Sequence, residues 1–115
     1  MAVDYKELRF FKKAHEFVLE IYKLTESFPK SERYGVVSQL QRASGSICAN
    51  IAEGSAKSEN DFKRFLQMSI GSAKECEYFL LLCKDLKYIE VRTYDRLQGD
   101  LDMIIGSLVK YIQTI

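Results

Sequence analysis

The chain has 115 residues, with 17 Lys plus Arg against 16 Asp plus Glu and 47% hydrophobic residues, a size and balance that fit one soluble domain and exclude a disordered tail. A domain of this length buries roughly two-thirds of the surface its unfolded chain exposes, enough for one core without metal or disulfide staples. A formal net charge of +1 gives no global field to concentrate polyanions, so any basic recognition must come from a local face.

One proline and six glycines are too little punctuation for an all-β domain, which needs turn residues about every 8–12 positions. Long helices are the alternative. Three cysteines, Cys48, Cys76 and Cys83, lack CxxC pairing and read as reduced, small apolar core residues of a cytoplasmic protein. The N-terminus has no apolar stretch behind its charges, so no secretory signal is expected. The longest strongly apolar run, Tyr78 to Cys83, is far short of the roughly 20 residues that span a bilayer, and no membrane partner is expected.

Four segments keep a helical period. The first, residues 9–28, has a seam of Phe11, Ala14, Val18, Ile21, Thr25 and Phe28, widened by Phe10, Phe17 and Leu24. Pro29 cannot continue a helix and pushes Phe28 toward extended geometry, so the helix should stop there. Ser31 is the candidate N-cap of the second helix, residues 32–54, whose seam is Val37, Leu40, Ser44, Ile47, Ile51 and Gly54, with Gly54 and Ser55 as its stop. Ser58-Glu59-Asn60-Asp61 resembles a capping box opening the third helix, residues 59–87. Its seam runs Phe62, Phe65, Ser69, Ser72, Cys76, Phe79, Cys83 and Leu86, with Leu66, Ala73 and Leu80 beside it. The fourth, residues 93–114, is the cleanest, with Tyr94, Leu97, Leu101, Ile104, Leu108, Tyr111 and Ile115. Connections of a few residues make sequential helices antiparallel neighbours, which predicts an all-α, up-down-up-down four-helix bundle.

The sequence offers little for catalysis. His15 is the one histidine and has no Glu three residues before it, so the Glu-x-x-His pairs of di-iron bundles are missing. Cysteines at core spacing, with the histidine on another helix, make poor nucleophiles. Glu75 with Glu77 and Asp100 with Asp102 stand two residues apart and point to different sides of a helix. Neither an enzyme nor a metal or other cofactor is expected.

The second helix is unusual. Its centre, residues 44–54, is rich in small residues, and Gly45 costs about 1 kcal/mol relative to alanine in a helix interior. Tight packing on a matching patch of the third helix, Ser69, Gly71, Ser72 and Ala73, is the expected compensation. Gln39, Arg42, Ser46, Asn50 and Glu53 follow at steps of three or four and form a polar stripe. Two readings stand: a hydrogen-bond network that fixes register or a subunit contact, with Glu75 as partner for Arg42, or a recognition surface anchored by the Arg42 fork, which suits phosphate and carboxylate alike. Lys57, Lys63 and Arg64 form a second basic group, suited to phosphate contacts or simply to a solvated helix face interleaved with Glu59 and Asp61.

Tyr34-Gly35, Gln39, Arg42-Ala43, Ser46-Ile47, Asn50-Ile51-Ala52-Glu53-Gly54, Phe65-Leu66 and Gly71-Ser72 resemble the bacterial four-helix-bundle family named after intervening sequences in 23S ribosomal RNA genes. Leu8, Phe11, Ala14-His15, Tyr22, Thr25 and Phe28-Pro29 fit the family's first helix. The resemblance implies a left-handed bundle that assembles into a homo-oligomer, commonly a pentameric ring. It also implies kinship with the accessory variability protein of diversity-generating retroelements, which works with a reverse transcriptase and its RNA. The pattern departs at Phe11, where tryptophan is frequent, at Gln41, where a second arginine often precedes Arg42, and at Lys57 in place of arginine. The expectation is a non-catalytic, oligomeric binding module for RNA or a nucleoprotein, with a purely structural or protein-interaction scaffold as the alternative.

Overall fold

The apolar stripes fold into four helices: α1 (Arg9–Thr25), α2 (Val36–Ser55), α3 (Glu59–Asp85) and α4 (Val91–Thr114). The structure, a computed structural model, describes residues 3–115 and has no strand among them. Single 3₁₀ turns lie at Tyr5–Glu7 and Lys30–Glu32. α1 packs on α2 and α4, and α3 on α2 and α4, while no Cα atoms of α1 and α3, or of α2 and α4, come within 8 Å, so those pairs lie on the diagonals. The start of α1, the end of α2, the start of α3 and the end of α4 meet at one end of the molecule. There the Phe10 and Phe62 rings lie edge-on to Tyr111 at 5.1 and 5.9 Å, and Gly54 sits against Phe62 and Phe65.

The breaks differ in detail from the sequence expectations, each for a local reason. α1 ends at Thr25 rather than Phe28, because Phe28 leaves the helix to enter the core and its ring packs against Tyr88 at 5.4 Å. The Thr25 hydroxyl donates to the Ile21 carbonyl at 2.9 Å and accepts from the Gln41 amide at 3.1 Å. Gln41 thus ties α2 to the end of α1. Ser31 is not an N-cap, since it lies inside the second 3₁₀ turn and α2 begins only at Val36. Glu32 takes that role: its Oε1 accepts from the Val36 N–H at 3.2 Å, and its Oε2 accepts from the Tyr88 hydroxyl at 2.7 Å. Ser58 does cap α3, accepting from the Asp61 N–H at 3.3 Å. α3 ends at Asp85 with Lys87 at φ 65°. The bonds from Lys87 N–H to the Lys84 carbonyl and from Tyr88 N–H to the Cys83 carbonyl, both 2.9 Å, make a Schellman turn in which a lysine fills the left-handed position that glycine favours. α4 starts two residues earlier than the spacing predicts, at Val91.

The core seams also shift by one heptad position in two helices. In α1 the buried side chains are Phe10, Ala14, Phe17, Ile21 and Thr25, with Phe11 and Val18 half-buried. In α3 Leu66, Ala73 and Leu80 are buried with Phe62, Phe65, Ser69, Cys76 and Cys83, whereas Ser72 and Phe79 are half-buried and Leu86 is exposed. The wider stripes predicted for these two helices already contain both sets.

α2 and α3 approach most closely. Ser69 is fully buried and its hydroxyl donates to the Ile47 carbonyl at 2.8 Å, directly joining one helix's side chain to the other's backbone. α2 stops at Ser55, where the Gly54–Ser55 pair is expected to end it. A Cβ on Gly54 would stand 2.5 Å from the Phe65 Cβ, so here glycine is required by contact. Close approach does not explain Gly45 and Gly71, which have nothing within 4 Å of where a Cβ would sit. Gly54→Ala gains about 1 kcal/mol of helix propensity but must push apart atoms fixed to a backbone, an overpacking cost of about 1–3 kcal/mol. Urea denaturation should find Gly54→Ala destabilised by up to about 2 kcal/mol and Gly99→Ala, at an open site on α4, stabilised by about 1 kcal/mol.

Candidate functional site

The polar stripe runs along the outer side of α2. Gln39, Arg42 and Glu53 are exposed, Ser46 and Asn50 half-buried. Its two halves behave differently. Arg42 reaches across to α3, where its guanidinium pairs with the Glu75 carboxylate, and it donates to the Gln39 Oε1 at 3.1 Å. Asn50 turns back on its own helix, donating to the Ser46 carbonyl at 2.9 Å. The structure brings together Gln39, Arg42 and Glu75 and leaves Glu53 apart. The Arg42 and Glu75 side chains are 56% and 36% exposed, so the pair is a screened surface contact that contributes at most about 1 kcal/mol.

Lys57, Lys63 and Arg64 lie at the α2–α3 turn. Arg64 pairs with Asp61 at 3.6 Å and stands 4.8 Å from the Phe65 ring centroid. The Lys57 ammonium approaches the same ring at 5.8 Å. Phe65 is itself buried against Gly54. Two of the three cations therefore lie near one aromatic ring.

An aromatic cleft at the N-terminal end escaped the sequence reading. Tyr5, Lys6, Phe11, Lys12, His15 and Glu16 line an open cleft of ≈ 510 Å³. Tyr5 meets Phe11 edge-on at 4.9 Å, and the Phe11 and His15 rings lie parallel at 6.0 Å. The available signal was the spacing of Phe11 and His15, four residues apart on one helix and so on one face.

The groups that nucleophilic or metal chemistry would use are placed otherwise. Burial pushes the Cys48 thiol up to about 12. It does the same for Cys76, to about 12, with the neighbouring Glu75 charge adding to the rise and Arg42 opposing it. Cys83 rises to about 11 through burial and the Glu32 charge. All three stay protonated at neutral pH. Among the described residues no three His, Cys, Asp or Glu side chains gather as a metal would need, and no helix is long and apolar enough to cross a membrane.

Residues 6–110 match the family model described as 23S rRNA-intervening sequence protein. The chain belongs to this family. Its fold is similar to that of a protein of unknown function from the S23 ribosomal protein family of Bacteroides thetaiotaomicron VPI-5482, with a TM-score of 0.83 at 28% identity over 90% of this chain and 95% of that one. No curated protein matches it. The family match spans the whole α2 stripe, the α2–α3 turn and most of the aromatic cleft.

A second charged contact lies between α1 and α4. Arg96 pairs with Glu20 and reaches Asp100 at 3.9 Å. Burial, then the Glu20 charge, raises the Asp100 carboxyl above its ordinary range against the opposing pull of Arg96 and Lys13, and Glu16 adds to the rise. A carboxyl raised on folding costs stability when ionised, and the cost is relieved as pH falls through the folded value toward the unfolded one. Asp100→Asn should therefore melt at a higher temperature than wild type at pH 7, and the difference should narrow as pH falls to about 3.5, where an unfolded aspartate with its ordinary value of about 3.9 is mostly protonated. Paired thermal melts at the two pH values check this.

Proposed function

We propose that this chain is a non-catalytic binding module that assembles into a homo-oligomer and carries RNA or a nucleoprotein as its partner in the cytoplasm. In this reading the helices alternate up and down in a left-handed bundle, and the assembly is the ring of five that the family resemblance implies. A reverse-transcriptase-like nucleoprotein is the partner if the kinship with retroelement accessory proteins holds. Binding rather than catalysis is supported by the protonated thiols and by a single histidine stacked on Phe11.

The observation that carries the oligomer is the outer α2–α3 face. Gly45 and Gly71 are open at their Cβ positions, Ala49 is exposed, and Met68 and Tyr78 are 46% and 57% exposed. Two helix-interior glycines that no packing inside the chain explains are suited to the backbone of a second copy, because small residues let helices come close. Arg42 and Glu75 stand beside this face as a solvent-exposed pair.

The second reading, a scaffold without nucleic acid, is favoured by one contact: the Arg42 fork is already engaged by Glu75 and Gln39. The readings separate on Arg42→Ala. A recognition role predicts an intact oligomer with weaker RNA binding; a scaffold role predicts impaired assembly first.

Sedimentation velocity should show wild type as an oligomer and Gly71→Leu as a helical monomer; a monomeric wild type contradicts the assembly. Filter binding to structured RNA should show affinity at low salt that falls with a log–log slope near 0.7–0.9 per phosphate contact. No affinity above background at low salt contradicts the RNA partner.

A further inference from the structure

We propose that the cleft formed by the N-terminal 3₁₀ turn and the first two turns of α1 binds single-stranded nucleic acid, with a base stacked on the Phe11–His15 rings and the flanking phosphates held by Lys6 and Lys12. The proposal rests on the reading of this chain as an RNA-binding module and places the contact on α1, away from the α2 stripe.

Three observations converge on this cleft. The first is the rings. Phe11 and His15 lie parallel, 4° apart in plane, and Tyr5 closes one side edge-on to Phe11. His15 is exposed, so part of this platform faces water. An aromatic surface held in the open by its neighbours suits a planar ligand, and every nucleobase has a face that stacks regardless of sequence. The volume of ≈ 510 Å³ lies within the roughly 300–1,000 Å³ typical of small-ligand clefts.

The second is the cations. The Lys6 ammonium stands 6.0 Å from the Tyr5 ring centroid, at the cleft's edge. The Lys12 ammonium stands 3.8 Å from the Glu7 carboxylate, with side chains 58% and 75% exposed. Such an exposed, long pair holds its lysine weakly, and a phosphate can take its place. Glu16 also lines the cleft, and its charge opposes a phosphate on that side, which directs the backbone toward Lys6 and Lys12.

The third is the charge along the rod. Residues 3–13, 53–64 and 106–115, which make up the end where the cleft opens, carry eight Lys or Arg against five Asp or Glu, and the rest of the chain carries nine against eleven. The near-neutral total hides a basic end. A shallow depression between the 3₁₀ turn and Ala52, Ser55 and Ala56 continues from Tyr5 and Lys6 to the start of the α2–α3 turn, where Lys57 follows. The Asp4 carboxylate also lines this depression and opposes a phosphate there, so the backbone is held on the Lys6 side.

The test is fluorescence anisotropy with end-labelled hexanucleotides, ribo-A6 and deoxy-A6, at low salt, beside a structured RNA duplex. Wild type should bind at least one hexamer. His15→Ala and Phe11→Leu should each weaken that binding roughly 5- to 150-fold while keeping the wild-type helical circular dichroism. Lys12→Gln should lower the salt slope by about 0.7, and Lys84→Gln, at the opposite end, should change nothing. Tighter ribo-A6 than deoxy-A6 names RNA as the source. If the duplex binds and neither hexamer does, or if both ring variants bind hexamers as wild type does, the cleft proposal is overturned and the RNA reading stands. If no nucleic acid binds, both fall.

Discussion

The close approach of α2 to α3 is the constraint on which the rest of the molecule depends. Ala43, Ser44, Gly54, Ser69 and Ala73 remove bulk from the shared surface, and the two helices come near enough for the Ser69 hydroxyl to reach the Ile47 carbonyl. A buried hydroxyl left unpaired would cost about 1–3 kcal/mol, so this bond also sets the register between the helices. With that register fixed, Arg42 and Glu75 stand opposite one another, and Gly45 and Gly71 face outward. α1 and α4 then close the bundle through larger side chains, Phe10, Phe17, Leu101 and Leu108 among them.

Much of this was legible in the sequence. Four helical periods are written in the spacing of large apolar residues, and α4 reads almost without error because its buried face is built from Leu and Ile at strict intervals. α1 and α3 carry apolar residues on one extra heptad position, and only packing decides that Phe10 and Phe17 go in while Phe11 and Val18 stay at the edge. The start of α4 falls at Val91 rather than at residue 93, after a turn in which Lys87 occupies a left-handed position that sequence pattern assigns to glycine. The α2 cap was missed for a similar reason: Glu32 acts from four residues away, in place of a serine next to the helix.

The candidate site divides in the same way. The Arg42 to Glu75 link follows from helical spacing and charge, because both residues lie on the polar side of adjacent helices. The meaning of the glycines does not follow, since Gly54 and Gly45 look alike in sequence and differ only in what stands opposite: a phenylalanine Cβ for one and open space for the other. The Tyr5, Phe11 and His15 cleft depends on a 3₁₀ turn folding back on α1, a tertiary contact that helical periodicity does not contain. A net charge of +1 likewise conceals the basic end, because the balance is struck over the whole chain and the imbalance appears only when the four helix termini are brought together.

If α2 and α3 form the element on which the others depend, they must open last. Native-state hydrogen exchange measures this directly, because amides released only by global unfolding exchange with the full unfolding free energy and locally opening ones exchange at less. The slowest exchange is expected at residues 47–51 of α2 and 69–76 of α3, with α1 and α4 amides opening at lower free energies. Exchange at those α2 and α3 amides as fast as at the centres of α1 and α4 would contradict it.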